Sequence, residues 1–163
     1  IALTTIPFDG LYIFLHLRTR VFEGGTGLRQ LGEWVRLLHT NSKTYDLDVL
    51  RNNLKSLGLL DMWKGFGCIV VNYLGLAEEE MPFYSNENNA KAEKTLEYIL
   101  NEGNFGKFSG KGLSPEGYIK RKWFSFRYQA NRLKNIHCLY KKDTRQYAMH
   151  YITDGIKRFI INK

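Results

Sequence analysis

Three glycines in four positions, Gly24-Gly25-Thr26-Gly27, stand directly before Arg29, Gln30 and Glu33. Free backbone N–H groups at a helix start, the positive end of the helix dipole and an arginine two residues on make a trap suited to a phosphate or a carboxylate. The segment has no Walker A lysine, and it lacks the preceding strand and the later acid of a dinucleotide fold. A tight helix-to-helix turn is therefore the plainer reading of the same glycines. His16, one helix earlier, adds a titratable imidazole to this pocket if the two helices run antiparallel. A core histidine beside a solvated Arg29–Glu33 pair is the plainer account of these residues. His39, His137 and His150 show no HExxH or related spacing, and Cys68 and Cys138 form no CxxC, so no metal site is expected. No serine, cysteine or lysine stands in a recognisable nucleophile context.

A second chemistry is written near the other end. Lys120, Arg121, Lys122 and Arg127 interleave with Trp123, Phe124, Phe126 and Tyr128, and Arg132 and Lys134 follow. Cations alternating with aromatics suit a surface that tracks a nucleic-acid backbone and stacks bases, or a helix lying on anionic lipid. Both need exposed aromatics. Yet Ile119, Trp123, Phe126, Ala130, Leu133, His137 and Tyr140 recur every four and three residues, a seam that normally packs on a neighbour and leaves the cations as its solvated face.

The elements that must position these groups read as helices throughout. Pro7-Phe8-Asp9-Gly10 looks like a turn into a first helix through Leu11, Phe14, Leu15 and Phe22, which carries His16 and ends before Gly24. A second helix follows with Leu28, Leu31, Val35 and Leu38 on one stripe. Asp46 suits the N-cap of a third, stapled by Tyr45 on Leu50 and stopped by Gly58. Residues 59–74 carry Trp63, Gly67, Val70 and Leu74 at helical spacing. β-Branched Ile69, Val70 and Val71 suggest a strand instead, but the apolar stretch is too long for one. Glu78-Glu79-Glu80, Pro82 and Asn86 to Asn89 make a solvated connection to a fifth helix ending at Gly103. The glycine-rich segment from Gly103 to Gly112 is a loop. Ser114-Pro115-Glu116 has the composition of the next helix start. Asp143 and Gln146 fit a capping box for a last helix through Tyr147, Tyr151, Ile152, Phe159 and Ile160. The expected fold is all-α, about seven helices in an irregular bundle, with residues 1–106 and a basic extension, residues 107–163, packing on them.

At 163 residues with 44% apolar composition, the chain can bury a core unaided. Its longest apolar run, Gly65 to Leu76, is too short to cross a bilayer. The two distant cysteines point to a reducing compartment, hence a cytoplasmic setting. Ile1 opens the chain without a basic n-region or a cleavage site, so the chain reads as a fragment. Charge is divided: residues 1–103 hold ten Lys/Arg against thirteen Asp/Glu, net −3, and residues 104–163 hold fourteen against three, net +11.

Taken in order, Phe14-Leu15-His16-Leu17, Phe22 through Trp34 across the glycine turn, Trp63-x-x-Phe66-Gly67, Leu74-Gly75-Leu76, Met81-Pro82-Phe83-Tyr84 and Gly103-Asn104-Phe105-Gly106 resemble the uncharacterised bacterial nucleotidyltransferase family. There, a small polymerase-β-like catalytic domain with paired aspartates precedes a helical region carrying these motifs. The resemblance covers Pro7 to Gly106 and implies that this chain is the helical C-terminal part, partnered by an N-terminal catalytic domain that it does not contain. Mg2+ and a nucleoside triphosphate are then expected for the intact protein, with an acceptor that the motifs do not name. Asp46 and Asp48 have an Asp-x-Asp spacing but no strand or Gly-Ser before them, and are not assigned catalysis. The family has further histidines where this chain has Thr19 and Arg20, and an aspartate at Glu33. The resemblance assigns Arg29 to phosphate charge, Gln30 to orienting a group, Glu33 to holding Arg29, and Gly25, Gly27, Asn104 and Gly106, with His16, to the surrounding site.

Overall fold

The computed structural model describes residues 6–23, 27–102, 117–145, 147–149 and 153. Among the described residues the protein is all-α, with six bounded α-helices, two single 3-10 turns, a further helical stretch at 141–145 and no strand. The helices are α1 (Ile6–Glu23), α2 (Leu28–Asn41), α3 (Leu47–Ser56), α4 (Leu60–Leu74), α5 (Asn89–Glu102) and α6 (Tyr118–Leu139). The chain divides into two compact units, Ile1–Leu113 and Ser114–Lys163.

In the first unit α4 is the central element. Met62, Trp63 and every residue from Gly65 to Val70 are buried, so its sequence is apolar on nearly all sides, as a helix enclosed by others must be. It packs against α5, α2 and α3, and α1 lies along α2. The core is aromatic. The Phe14 ring stands 5.2 Å from Trp34, 5.0 Å from Trp63 and 5.9 Å from Phe66, and Trp34 meets Trp63 edge-on at 5.0 Å. Such tilted and edge-to-face pairs add to simple area burial because ring edges are positive and faces negative.

Helix ends follow local chemistry. Asp46 caps α3, its carboxylate accepting from the N–H groups of Asp48 and Val49. At the other end Gly58, at φ 70°, allows a Schellman closure, in which the Gly58 N–H donates to the Lys55 carbonyl and the Leu59 N–H to that of Leu54.

Several expectations are corrected. Pro7 to Gly10 is no turn but the first turns of α1; a proline there lacks only an N–H that has no helical partner anyway. The buried stripe of α2 is Leu31, Trp34 and Leu38, with Leu28 39% exposed; the large indole rotates the helix so that it, and not Val35, enters the core. The connection after α4 is only partly solvated. Met81 and Pro82 are buried, and the Trp63 indole N–H donates to the Pro82 carbonyl at 2.9 Å.

In the second unit α6 begins at Tyr118, behind Gly117 at φ 100°, a conformation that no helical residue adopts. Residues 114–116 lie outside the described residues. Residues 141–145 are again helical, and the Thr144 N–H donates to the Tyr140 carbonyl at 3.0 Å. Asp143 therefore sits inside that turn, buried, and is not its cap. Gln146, Tyr151, Ile152, Phe159 and Ile160 lie outside the described residues.

Candidate functional site

Gly27 caps α2, and Arg29, Gln30 and Glu33 follow within the first two turns of that helix. Gly27 is extended and buried, and its N–H donates to the Gln30 side-chain carbonyl at 2.9 Å, while the Gln30 N–H returns to the Gly27 carbonyl. One donor of the expected anion trap is thus already satisfied within the chain, and Gln30 fixes the turn. Arg29 donates through Nε to Glu33 at 3.1 Å, with side chains 87% and 56% exposed. An exposed pair of this kind contributes only a few tenths of a kcal/mol, so the guanidinium keeps most of its donors for an incoming anion. His16 is exposed on α1 and makes no hydrogen bond or ion pair with the described α2 residues. Gly25, Asn104 and Gly106 lie outside the described residues.

On α6, Lys120, Arg121, Arg127 and Lys134 are exposed. So are Ile119 (81%), Trp123 (66%) and Phe126 (63%), and the Trp123 and Phe126 rings stack with centroids 6.1 Å apart. Arg132 does not belong to this basic surface. It is 7% exposed and lies at helical spacing from the buried Ile136 and Tyr140. Among the described residues the buried stripe is therefore Arg132 and Ile136 of α6, each one position before Leu133 and His137 of the apolar seam, followed by Tyr140 of the seam itself at the C-cap, and the long aliphatic stem of arginine makes its place there tolerable. The side chain of Lys122 lies outside the described residues.

Among the described residues no group of three or more His, Cys, Asp or Glu side chains converges. The Asp46 carboxylate is committed to its helix cap, and His39 to Glu80, 2.9 Å away.

One constellation escapes the sequence reading. Arg51 and Lys55 of α3, Leu60 and Lys64 of α4, and Phe83 and Tyr84 of the following turn enclose a cleft of about 270 Å³. The Arg51 guanidinium lies over the Phe83 ring, 4.8 Å from its centre. Met81-Pro82-Phe83-Tyr84 is a β-turn closed by the Tyr84 N–H on the Met81 carbonyl, with Phe83 at φ 63°. That position of a type II turn ordinarily takes glycine. The signals in the sequence were two like charges one helical turn apart and a Pro-Phe where Pro-Gly is normal.

No family model, curated protein or solved structure matches the chain.

Proposed function

We propose that this chain is the helical, non-catalytic portion of a cytoplasmic nucleotidyltransferase, carrying the substrate side of a site whose catalytic groups lie on a separate domain. The observation that carries the reading is the convergence of the motif segments. Phe14, Trp34, Trp63 and Phe66 come from three of them and form one aromatic core, while Arg29 and Glu33 of the same motifs are left in solvent. Residues spent on the core explain why the motifs are spaced as they are; the exposed pair is what remains for chemistry. In this reading Arg29 meets phosphate charge, Glu33 orients it, and Gln30 serves the turn.

Mg2+ and the nucleoside triphosphate belong to the catalytic partner domain. When present, the metal would supply charge neutralisation at the transferred phosphoryl group. The reading predicts an upstream Gly-Ser and aspartate pair in the encoding frame. It also predicts that Arg29→Ala in the full-length protein weakens nucleotide binding by roughly tenfold, the worth of one charge-assisted hydrogen bond. A frame lacking the aspartates, or an Arg29→Ala protein of unchanged nucleotide affinity and turnover, removes it.

The exposed, stacked Trp123 and Phe126 among Lys120, Arg121 and Arg127 favour a second reading, a basic module that binds nucleic acid. Titration of Trp123 fluorescence with a single-stranded oligonucleotide tests it. Quenching that weakens steeply with added salt supports this reading; quenching by anionic vesicles alone transfers the surface to lipid.

A further inference from the structure

The cleft between α3, α4 and the Met81–Tyr84 turn has features that the packing of the first unit does not require. Arg51 and Lys55 stand one turn apart on α3, a like-charge spacing that disfavours the helix. Lys64 faces them from α4. None of the three makes an ion pair with a carboxylate among the described residues, and Asp61, one helical turn before Lys64 on α4, is taken by Lys91 at 2.6 Å. Three cations are thus concentrated around one concavity and left without counter-charge.

The opposite wall is aromatic and held in place. Tyr84 reaches Asn72 and Asn86 through its hydroxyl, Cys68 donates to the Ser85 carbonyl, and Asn72 donates to Asn89. These bonds fasten the segment after the turn to α4 and to the start of α5. Gly67 lets Met81 sit directly on α4, for a Cβ there would come within 2.6 Å of the Met81 methyl. The turn is consequently fixed on both sides of Phe83, which keeps a left-handed backbone that glycine would adopt without strain. What phenylalanine brings in exchange is a ring under the Arg51 guanidinium, which holds that cation at the rim of the cleft. Leu60 completes an apolar floor.

We propose that this cleft binds a small organic phosphate, its phosphoryl oxygens held by Arg51, Lys55 and Lys64 and its uncharged ring or chain lying on Leu60 and Phe83. The planar guanidinium can grip two phosphoryl oxygens at once, and the two ammonium groups supply point charges from either side. A volume of about 270 Å³ suits a ligand smaller than the drug-sized molecules that fill ordinary pockets. The site stands on these residues alone and does not depend on the nucleotidyltransferase reading.

Phenyl phosphate and inorganic phosphate, titrated into the full chain by calorimetry, test it. Phenyl phosphate binds several-fold more tightly than inorganic phosphate, and its affinity falls as salt rises. Arg51→Gln and Lys64→Gln each weaken it by roughly tenfold, whereas Arg36→Gln, at an exposed position of α2, leaves it unchanged. Phe83→Gly removes the preference for the phenyl compound while the weaker phosphate binding persists. Because the three cations are surface or half-exposed groups, the variants keep the helical circular dichroism of the parent. Equal affinity for the two probes, or affinity indifferent to Arg51→Gln and Lys64→Gln in folded protein, overturns the proposal.

Discussion

Two glycines on neighbouring helices separate what space and conformation each contribute. A Cβ at Gly32 of α2 would meet nothing within 4 Å, so alanine there adds only helix propensity. Gly32→Ala is expected to raise the unfolding free energy by about 0.5–1 kcal/mol. A Cβ at Gly10 of α1 would lie 2.7 Å from the Tyr45 hydroxyl and 3.2 Å from two ring atoms of that buried side chain. The ring cannot bend aside, so overpacking outweighs propensity and Gly10→Ala should cost about 1 kcal/mol. Urea unfolding of the two variants checks the opposite signs. The cysteines divide in the same way. Burial pushes the Cys68 thiol above its ordinary range, against smaller lowering effects from backbone hydrogen bonds, while Cys138 is exposed. Iodoacetamide should therefore label Cys138 in the folded protein and Cys68 only after denaturation. The linkage has a definite sign. Above about pH 8.5 the unfolded thiol ionises before the folded one, so the native state holds more protons and the stability from Cys68 falls as pH rises through its raised value. A stability that increased over that range would contradict a buried neutral thiol.

At the scale of the helix, stability is decided at the ends. The Asp46 carboxylate accepts two N–H groups at the start of α3, and Asp46→Ala should cost about 1 kcal/mol, measurable as a lowered urea midpoint with little change in slope. This cap and the Gly58 stop were legible in the sequence because they are local: one acid, one glycine and eleven residues between them. The enclosed helix α4 was legible as well, through an apolar stretch longer than a strand. What was not legible depends on partners distant in sequence. Whether Val35 or Trp34 of α2 faces inward turns on the space left between Phe14 and Trp63. The seam of α6 was periodic, yet its first half is exposed and its buried stripe runs through Arg132, because periodicity gives a face without saying whether a neighbour covers it. The cleft at Arg51 joins three segments, and no spacing rule connects Lys55 with Phe83. Of the glycine-turn residues, Arg29 and Glu33 formed the expected pair, whereas Gln30 went to the backbone of Gly27, a choice that only the φ and ψ of the cap determine.

Over the whole chain, charge is distributed by unit. Residues 1–113 carry twelve Lys/Arg and thirteen Asp/Glu, net −1, and residues 114–163 carry twelve and three, net +9. A near-neutral unit with an aromatic core has little to gain from ionic screening. A fifty-residue unit at +9 repels itself, and of the buried hydrophobic side chains among the described residues only Ile136 and Tyr140 belong to it. Its folded state should therefore be the salt-sensitive one. The tryptophans report on the units separately, since Trp34 and Trp63 are buried in the first and Trp123 is exposed in the second. In a variant retaining only Trp123, the thermal transition should move upward between about 0.02 M and 0.2 M salt, as the screening length contracts to below about 10 Å. In a variant retaining only Trp34 and Trp63 it should stay in place. A single-stranded oligonucleotide at low salt should reproduce the upward shift for Trp123 alone, because a bound polyanion stabilises the state that binds it. Equal shifts at both probes would mean that the excess charge is not confined in its effect to the second unit. A shift with salt but none with the oligonucleotide would leave the repulsion intact and remove the nucleic-acid reading of α6.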